Sequence, residues 1–199
     1  MNLKSLLDSK KELTQLFKSD EIEELGYLKQ AKGNKANKVV RSQTFWKNVD
    51  TVVNFFEPLA NVLRRMDSDV PSMGFFHGLM LGAKKEISRM FDNDNNCFKE
   101  VWEIIDKRWD NKLKTPLHLA GYYLNPHYYY PNKLEIEKDV SFRAGVISYI
   151  SKMVDDEETQ DKIFEELDMY QIQQDNFGSE IATRQRKDKN FNPGEQLNM

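Results

Sequence analysis

Residues 44–66 read TFWKNVDTVVNFFEPLANVLRRM. The apolar side chains of this stretch recur at steps of three or four residues and are Phe45, Val49, Val52, Phe56, Leu59, Leu63 and Met66. Because an α-helix turns once in about 3.6 residues, this spacing predicts one amphipathic helix. Pro58 lies inside the stretch and is expected to kink the helix or to divide it in two.

Similar spacing continues on both sides of this helix. It predicts further helices over residues 3–18, 72–91, 98–113, 116–123, 139–154 and 159–173. A short helix is also predicted to begin at Ser19, which is a suitable capping residue. Breaks are expected at residues 67–71 and 92–96, and residues 114–134 are expected to be compact and largely irregular. No stretch alternates between apolar and polar residues, so we predict a mainly α fold, an irregular bundle of six or so helices with little or no sheet.

Four segments follow from these patterns. We predict an N-terminal helical segment over residues 1–25, a basic and partly irregular segment over 26–44, a helical domain over 45–175 and a frayed tail over 176–199. The 199 residues are 39% hydrophobic, 31% charged and 12% aromatic, which is typical of a folded, heavily charged protein. Cys97 is the only cysteine, so an intrachain disulfide is excluded and a reducing compartment is favoured. No apolar run approaches the ~20 residues that span a bilayer, so no membrane partner is expected.

The metal-ligating residue types are few. Imidazole and thiol groups occur only at His77, His118, His127 and Cys97. None of them is paired at the spacing of a known metal site, so we predict histidines without metal and no cofactor.

Carboxylates on one helix face are the other candidate for chemistry. Glu103, Asp106 and Asp110 share a face at steps of three and four residues, and two close carboxylates could hold Mg²⁺. Lys107 and Arg108 interleave with them, which favours a solvated, ion-paired face. We therefore predict no enzymatic activity and no small-molecule substrate.

Basic residues concentrate in two acid-poor stretches. Residues 26–48 contain no acid and carry Lys29, Lys32, Lys35, Lys38, Arg41 and Lys47. Near the C-terminus lie Arg184, Arg186 and Lys187. A step of three residues distributes the first set around a helix rather than along one face. Two interpretations remain, weak contacts with DNA phosphates or a solvated lysine segment and tail, and the net charge of -3 favours the second.

Residues 101–131 read VWEIIDKRWDNKLKTPLHLAGYYLNPHYYYP and are crowded with aromatic rings and prolines. Trp102 or Trp109, with Tyr122, Tyr123 and Leu124, is predicted to fill a helix junction, although the same rings could form an exposed contact site. We assign structural roles to a motif that comprises Arg108, Trp109, Asp110, Pro116, His118, Gly121, Asn125 and Pro126.

This block resembles a block of plant transposase-like proteins of the hAT superfamily, whose catalytic core is ribonuclease H-like. Phe45-Trp46, Glu57-Pro58-Leu59, Pro71-Ser72-Met73-Gly74 and Ile181-Ala182-Thr183-Arg184 extend the resemblance along most of the chain. The resemblance implies that this chain corresponds to the helical insertion that lies between the second and third catalytic acids in that family. The Glu-Arg dipeptide that carries the third acid is missing, as is the zinc-binding finger.

The expected function follows from that resemblance. It implies a transposase-derived fragment in the nucleus, without a complete catalytic site, with weak and non-specific DNA association. The alternative is a module retained for protein–protein interaction, with another transposase-like chain as partner. The cytoplasm is the other compartment that the single cysteine allows.

Overall fold

A computed structural model describes residues 3–68, 73–91, 99–110 and 114–187. These residues form thirteen α-helices and contain no strand. The predicted mainly α fold is thereby confirmed. The structure has more helices than the six or so predicted, because several stretches that were expected to be irregular form short helices. None of the described helices combines the length and the apolar content needed to cross a membrane.

The chain contacts divide the molecule into two units, Met1–Asn61 and Val62–Met199, and we describe each by itself. The N-terminal unit begins with α1 (Leu3–Asp8), α2 (Lys10–Leu16) and α3 (Asp20–Glu24). The single helix predicted over residues 3–18 is interrupted at Ser9. Its hydroxyl donates to the Ser5 carbonyl oxygen at 2.9 Å, a bond of the kind that bends helices.

The segment 26–44 is more regular than predicted. Gly26 takes a left-handed conformation (φ 66°), a 3-10 turn follows at Tyr27–Lys29, and α4 spans Ala31–Arg41. Gly33, which suggested an irregular segment, is buried inside α4. A Cβ atom there would lie 2.0 Å from the Tyr27 carbonyl oxygen, so this glycine permits a close approach of the backbone.

The predicted central helix is present as α5 (Gln43–Met66), and it continues through Pro58 without being divided. Its buried side changes along its length. Trp46 and Val49 are buried near its start, whereas Phe55, Pro58 and Val62 are buried roughly half a turn around the helix. The predicted stripe is therefore only partly the buried face, because Val52, Phe56 and Leu63 are 38%, 56% and 64% exposed.

The second unit contains the remaining helices. In chain order they are α6 (Met73–Met90), α7 (Lys99–Arg108), α8 (Pro116–Tyr123), α9 (Pro126–Tyr129), α10 (Lys133–Lys138), α11 (Val140–Met153), α12 (Glu157–Ile172) and α13 (Glu180–Gln185). Residues 114–134, expected to be largely irregular, thus hold α8, α9 and the start of α10. The predicted tail is helical at α13 and lies outside the described residues from 188 onwards. Residue 72, where the predicted helix 72–91 begins, and the break predicted at 92–96 also lie outside them.

The core of the second unit is built around α8, which packs against α6 and α11. Gly121 allows the first contact, because a Cβ atom there would lie 3.4 Å from the Gly74 Cα atom. Gly145 allows the second in the same way against the Leu119 side chain. The rings of Tyr123, Tyr129 and Tyr170 fill the adjoining space, with Tyr123 and Tyr170 each 4.9 Å from Tyr129 between centroids.

Candidate nucleic-acid interface and the aromatic block

A basic cleft of about 820 Å³ lies in the N-terminal unit. It is formed by the end of α1, by α2 and the turn after it, by the end of α4 and by the start of α5. Four cationic side chains line it, from Lys10, Lys18, Arg41 and Lys47. Asp50 is the one acidic residue of the lining. Among the described residues, no ion pair neutralises any of the four cations.

Trp46 provides a fixed aromatic surface in this cleft. Its side chain is only 4% exposed, and its indole N–H donates to the Val40 carbonyl oxygen at 2.6 Å. The Lys10 ammonium lies 5.6 Å from the ring centroid, within the range of a cation–π contact. The cleft therefore joins positive charge to a rigid ring, which is a combination suited to an anionic chain.

The structure separates the predicted basic residues of residues 26–48. Arg41 and Lys47 line the cleft, whereas Lys29, Lys32, Lys35 and Lys38 are exposed residues outside its lining. Lys32, Lys35 and Lys38 are distributed around α4, as their three-residue spacing predicts. The sequence interpretation missed Lys10 and Lys18. Their four-residue spacing through Thr14 could have shown that they share one side of a helix.

The C-terminal basic residues belong to the second unit. Arg184 and Lys187 are exposed, but Arg186 is half-buried and takes part in packing. Its guanidinium lies 4.2 Å from the Tyr130 ring centroid, and its Nη2 donates to Gln173 Oε1 at 2.8 Å. Arg186 is thus positioned by its neighbours and differs from a solvated surface base.

The aromatic block places most of its rings inside the second unit. Tyr122 and Tyr123 are buried, while Leu124, predicted to join them, is 43% exposed. Trp109 is half-buried and contacts Phe76 and His77, with centroid distances of 5.4 and 5.1 Å.

Two polar side chains, those of Thr115 and of the motif residue Asn125, cap the helix starts in this block. The Thr115 hydroxyl caps α8 and lies 2.7 Å from Nδ1 of His118. Burial lowers the pKa of His118 below its ordinary value. Asn125, only 2% exposed, caps α9 by accepting from the His127 N–H at 3.0 Å. Its amide nitrogen also donates to the Gly74 carbonyl oxygen at 2.9 Å, which ties α9 to α6.

The other motif residues serve simpler roles. Pro116 and Pro126 occupy the first turns of α8 and α9, where the missing N–H has no helical partner to lose. Gly121 lets α8 approach α6. Arg108 and Asp110 are exposed at the end of α7 and just beyond it.

His77 is the buried titratable group of this region. Its ring contacts Trp109, Tyr122 and Phe142, and its Nδ1 has no hydrogen-bond partner among the described residues. Burial, together with the Lys114 charge, lowers the pKa of His77 to about 4, while Asp139 opposes the shift. The imidazole is therefore neutral near pH 7.

The three carboxylates of α7 and its end do not form a metal centre. Asp106 is ion-paired with Lys84, whose ammonium also lies 5.4 Å from the Trp102 ring centroid. Across the described part of the chain, no group of three or more His, Cys, Asp or Glu side chains could hold a metal ion.

Comparisons with protein-family models, with curated proteins and with solved structures found no match for this chain.

Proposed function

We propose that the chain is a transposase-derived helical protein that binds DNA backbone weakly, and without sequence preference, through the basic cleft of its N-terminal unit. The observation that carries this proposal is the convergence of Lys10, Lys18, Arg41 and Lys47 on one cleft beside Trp46. The transposon origin rests on the resemblance of residues 101–131 and their flanks.

The chemistry of the cleft favours phosphates over bases. Three of the four cations are lysines, whose ammonium groups are point charges suited to phosphates, and phosphate contacts carry no sequence information. The Trp46 ring is buried beneath the cleft and holds its wall in place, so the cations are the groups available to a ligand. Residues 1–61 hold ten Lys or Arg against eight Asp or Glu, and four of those acids lie in α3. This small excess supports weak binding, with a dissociation constant of about 10⁻⁴–10⁻⁶ M at physiological salt.

We propose no catalytic role. Phosphoryl transfer by two metals requires acids that hold the ions about 3.5–4 Å apart. The candidates on α7 are interleaved with basic residues, and Asp106 is paired with Lys84. Cleavage of plasmid DNA that depends on Mg²⁺ or Mn²⁺, and that Asp106→Ala abolishes, would refute this part of the proposal.

Fluorescence anisotropy with a labelled DNA duplex of mixed sequence tests the binding. Four cations that neutralise four phosphates predict a slope of log K against log salt of about −3 to −4. Affinity should therefore fall by about 100-fold between 50 and 200 mM salt.

Charge reversal locates the interface. Lys10→Glu with Lys47→Glu should abolish most binding and reduce the salt slope to about −2 or less in magnitude. The matched control is Lys138→Glu with Lys152→Glu, which changes the net charge equally at exposed lysines of the second unit. Equal losses in both double variants, or binding that ignores both, would exclude the cleft as the interface.

A second candidate function, self-association, is favoured by a groove of about 520 Å³ on the second unit, along which apolar side chains of α11 are exposed. Val140, Ala144 and Ile147 share one side of α11 there, and Val140 and Ile147 are 79% and 41% exposed. Sedimentation velocity should then detect a dimer that Ile147→Lys dissociates. A monomer across the whole micromolar range would eliminate this candidate.

A further inference from the structure

A further groove of the second unit has a volume of about 460 Å³. Its apolar lining includes Ile163 and Leu167 of α12, Ala182 of α13 and the rings of Tyr130, Tyr170 and Phe177. This volume lies within the range of about 300–1,000 Å³ that is usual for small-molecule sites. We refer to it as the α12–α13 groove.

The turn between α12 and α13 shapes this groove tightly. Gln173 and Asp175 both adopt left-handed conformations, with φ of 57° and 52°. A Cβ atom at Gly178 would lie 2.2 Å from the Gln173 carbonyl oxygen, so the chain folds closely back on itself. This turn brings the Phe177 ring against Tyr170, at 5.5 Å between centroids.

Arg186 is held in place on the wall of the groove. Its guanidinium lies over the Tyr130 ring, Nη2 donates to Gln173 Oε1, and its carbonyl oxygen is 3.1 Å from Nδ1 of His127. The buried Nη1 has no hydrogen-bond partner among the described residues. The guanidinium is thus held in one orientation on the wall of an apolar groove, and no ion pair neutralises its charge among the described residues.

The surrounding charges restrict which anion the Arg186 guanidinium could bind. Glu166 also lines the groove, and residues 62–199 hold 24 Asp or Glu against 19 Lys or Arg. A dianion such as a phosphate would be repelled by this excess of negative charge. A monoanionic carboxylate matches the guanidinium with a charge-assisted hydrogen bond at the lowest electrostatic penalty.

We propose that the α12–α13 groove binds a small apolar monocarboxylate, with its hydrocarbon or aromatic part against Tyr170 and Phe177 and its carboxylate on Arg186. This site is independent of the basic cleft, and it adds a ligand that the sequence did not predict. Because Arg186 is already positioned, little side-chain entropy is lost when the ligand binds.

The test compares 4-phenylbutyrate with its neutral amide, 4-phenylbutanamide, on the full chain. Binding is measured by NMR titration of the Ile163 and Leu167 methyl groups, both of which line the groove. We expect the acid to bind at least ten times more tightly than the amide. Equal affinities would refute the role of Arg186. If neither ligand changed the chemical shifts of the Ile163 and Leu167 methyl groups, the proposed site would be refuted.

Three variants separate charge from shape. Arg186→Gln should bind the acid and the amide equally, whereas Arg184→Gln, the same change at an exposed arginine of α13, should keep the preference for the acid. Ala182→Leu should weaken both ligands because it fills the groove. A concentration-dependent dimer that Ala182→Leu disrupts, with no binding of the acid, would assign the groove to a second copy of the chain and overturn the proposal.

Discussion

Two glycines of α6 should respond in different ways to the same substitution. Gly78 and Gly82 lie one turn apart on this helix. A Cβ atom at Gly78 would lie 2.3 Å from two ring carbons of Tyr128, whereas one at Gly82 would meet nothing within 4 Å. Alanine at either position therefore brings the same gain in helix propensity, but only Gly78→Ala has a steric cost.

The magnitudes follow from this geometry. Alanine in place of glycine stabilises a helix interior by about 0.8–1.0 kcal/mol, which is the gain expected for Gly82→Ala. At Gly78 the Tyr128 ring would have to retreat by more than ~1 Å to restore normal carbon contacts. That ring stacks on Tyr122 at 5.1 Å and meets Phe75 edge-on at 5.9 Å, so it has little room to move. Overpacking of this kind costs about 1–3 kcal/mol, which is the expected difference between the two variants.

Urea unfolding followed by circular dichroism measures this difference. A double-mutant cycle with Tyr128→Ala tests its cause, because Gly78→Ala should become stabilising once the ring is removed. Equal stabilities for Gly78→Ala and Gly82→Ala, or a penalty that persists without the Tyr128 ring, would show that α6 does not approach α9 in the way the structure describes.

Three further variants probe the polar contacts of the same unit. Asn125→Ala should reduce the free energy of unfolding by about 2–4 kcal/mol in urea titrations, since a helix cap and a buried hydrogen bond to Gly74 are lost together. Tyr170→Phe should cost about 1–2 kcal/mol in the same assay, because its hydroxyl donates to the Tyr123 carbonyl oxygen at 3.1 Å. His77 has a folded-state pKa of about 4 against an ordinary 6.5, so the unfolded chain takes up its proton first and stability should fall as pH drops from 6.5 to 4. Thermal melts of His77→Phe across that range should show a smaller loss.

The helices were predictable where the signals are local. The predicted bounds of α8 match the observed Pro116–Tyr123, because a capping threonine and a proline in the first turn act through neighbouring residues alone. Residues 26–44 were misread for the opposite reason. Gly33 and the nearby asparagines favour irregular structure, but the close approach of Gly33 to the Tyr27 carbonyl depends on the turn at Tyr27–Lys29, which the apolar spacing does not indicate.

The candidate sites were less predictable because they combine distant residues. Lys10 and Lys18 meet Arg41 and Lys47 only after α2 has folded beside α4 and α5, and no pattern within either stretch indicates that pairing. The sequence places Arg186 with Arg184 and Lys187, as a base that contacts phosphates or belongs to a solvated tail. Its actual position on Tyr130 depends on the left-handed turn at Gln173, a conformation that a non-glycine residue gives little reason to expect.

Charge is unevenly distributed along the chain, and this decides which ligand each unit can accept. The N-terminal unit has a small excess of bases and a cleft that gathers four of them, so a polyanion is favoured there and its binding must weaken as salt rises. The second unit has an excess of acids, so it repels polyanions and can accept an anion only through a close, oriented contact such as Arg186 offers. The two proposed binding functions should therefore respond separately to substitution. Arg41→Glu should weaken DNA binding and leave the acid–amide preference intact, and Arg186→Gln should do the reverse. A variant that removed both activities while the protein stayed folded would contradict the assignment of one ligand to each unit.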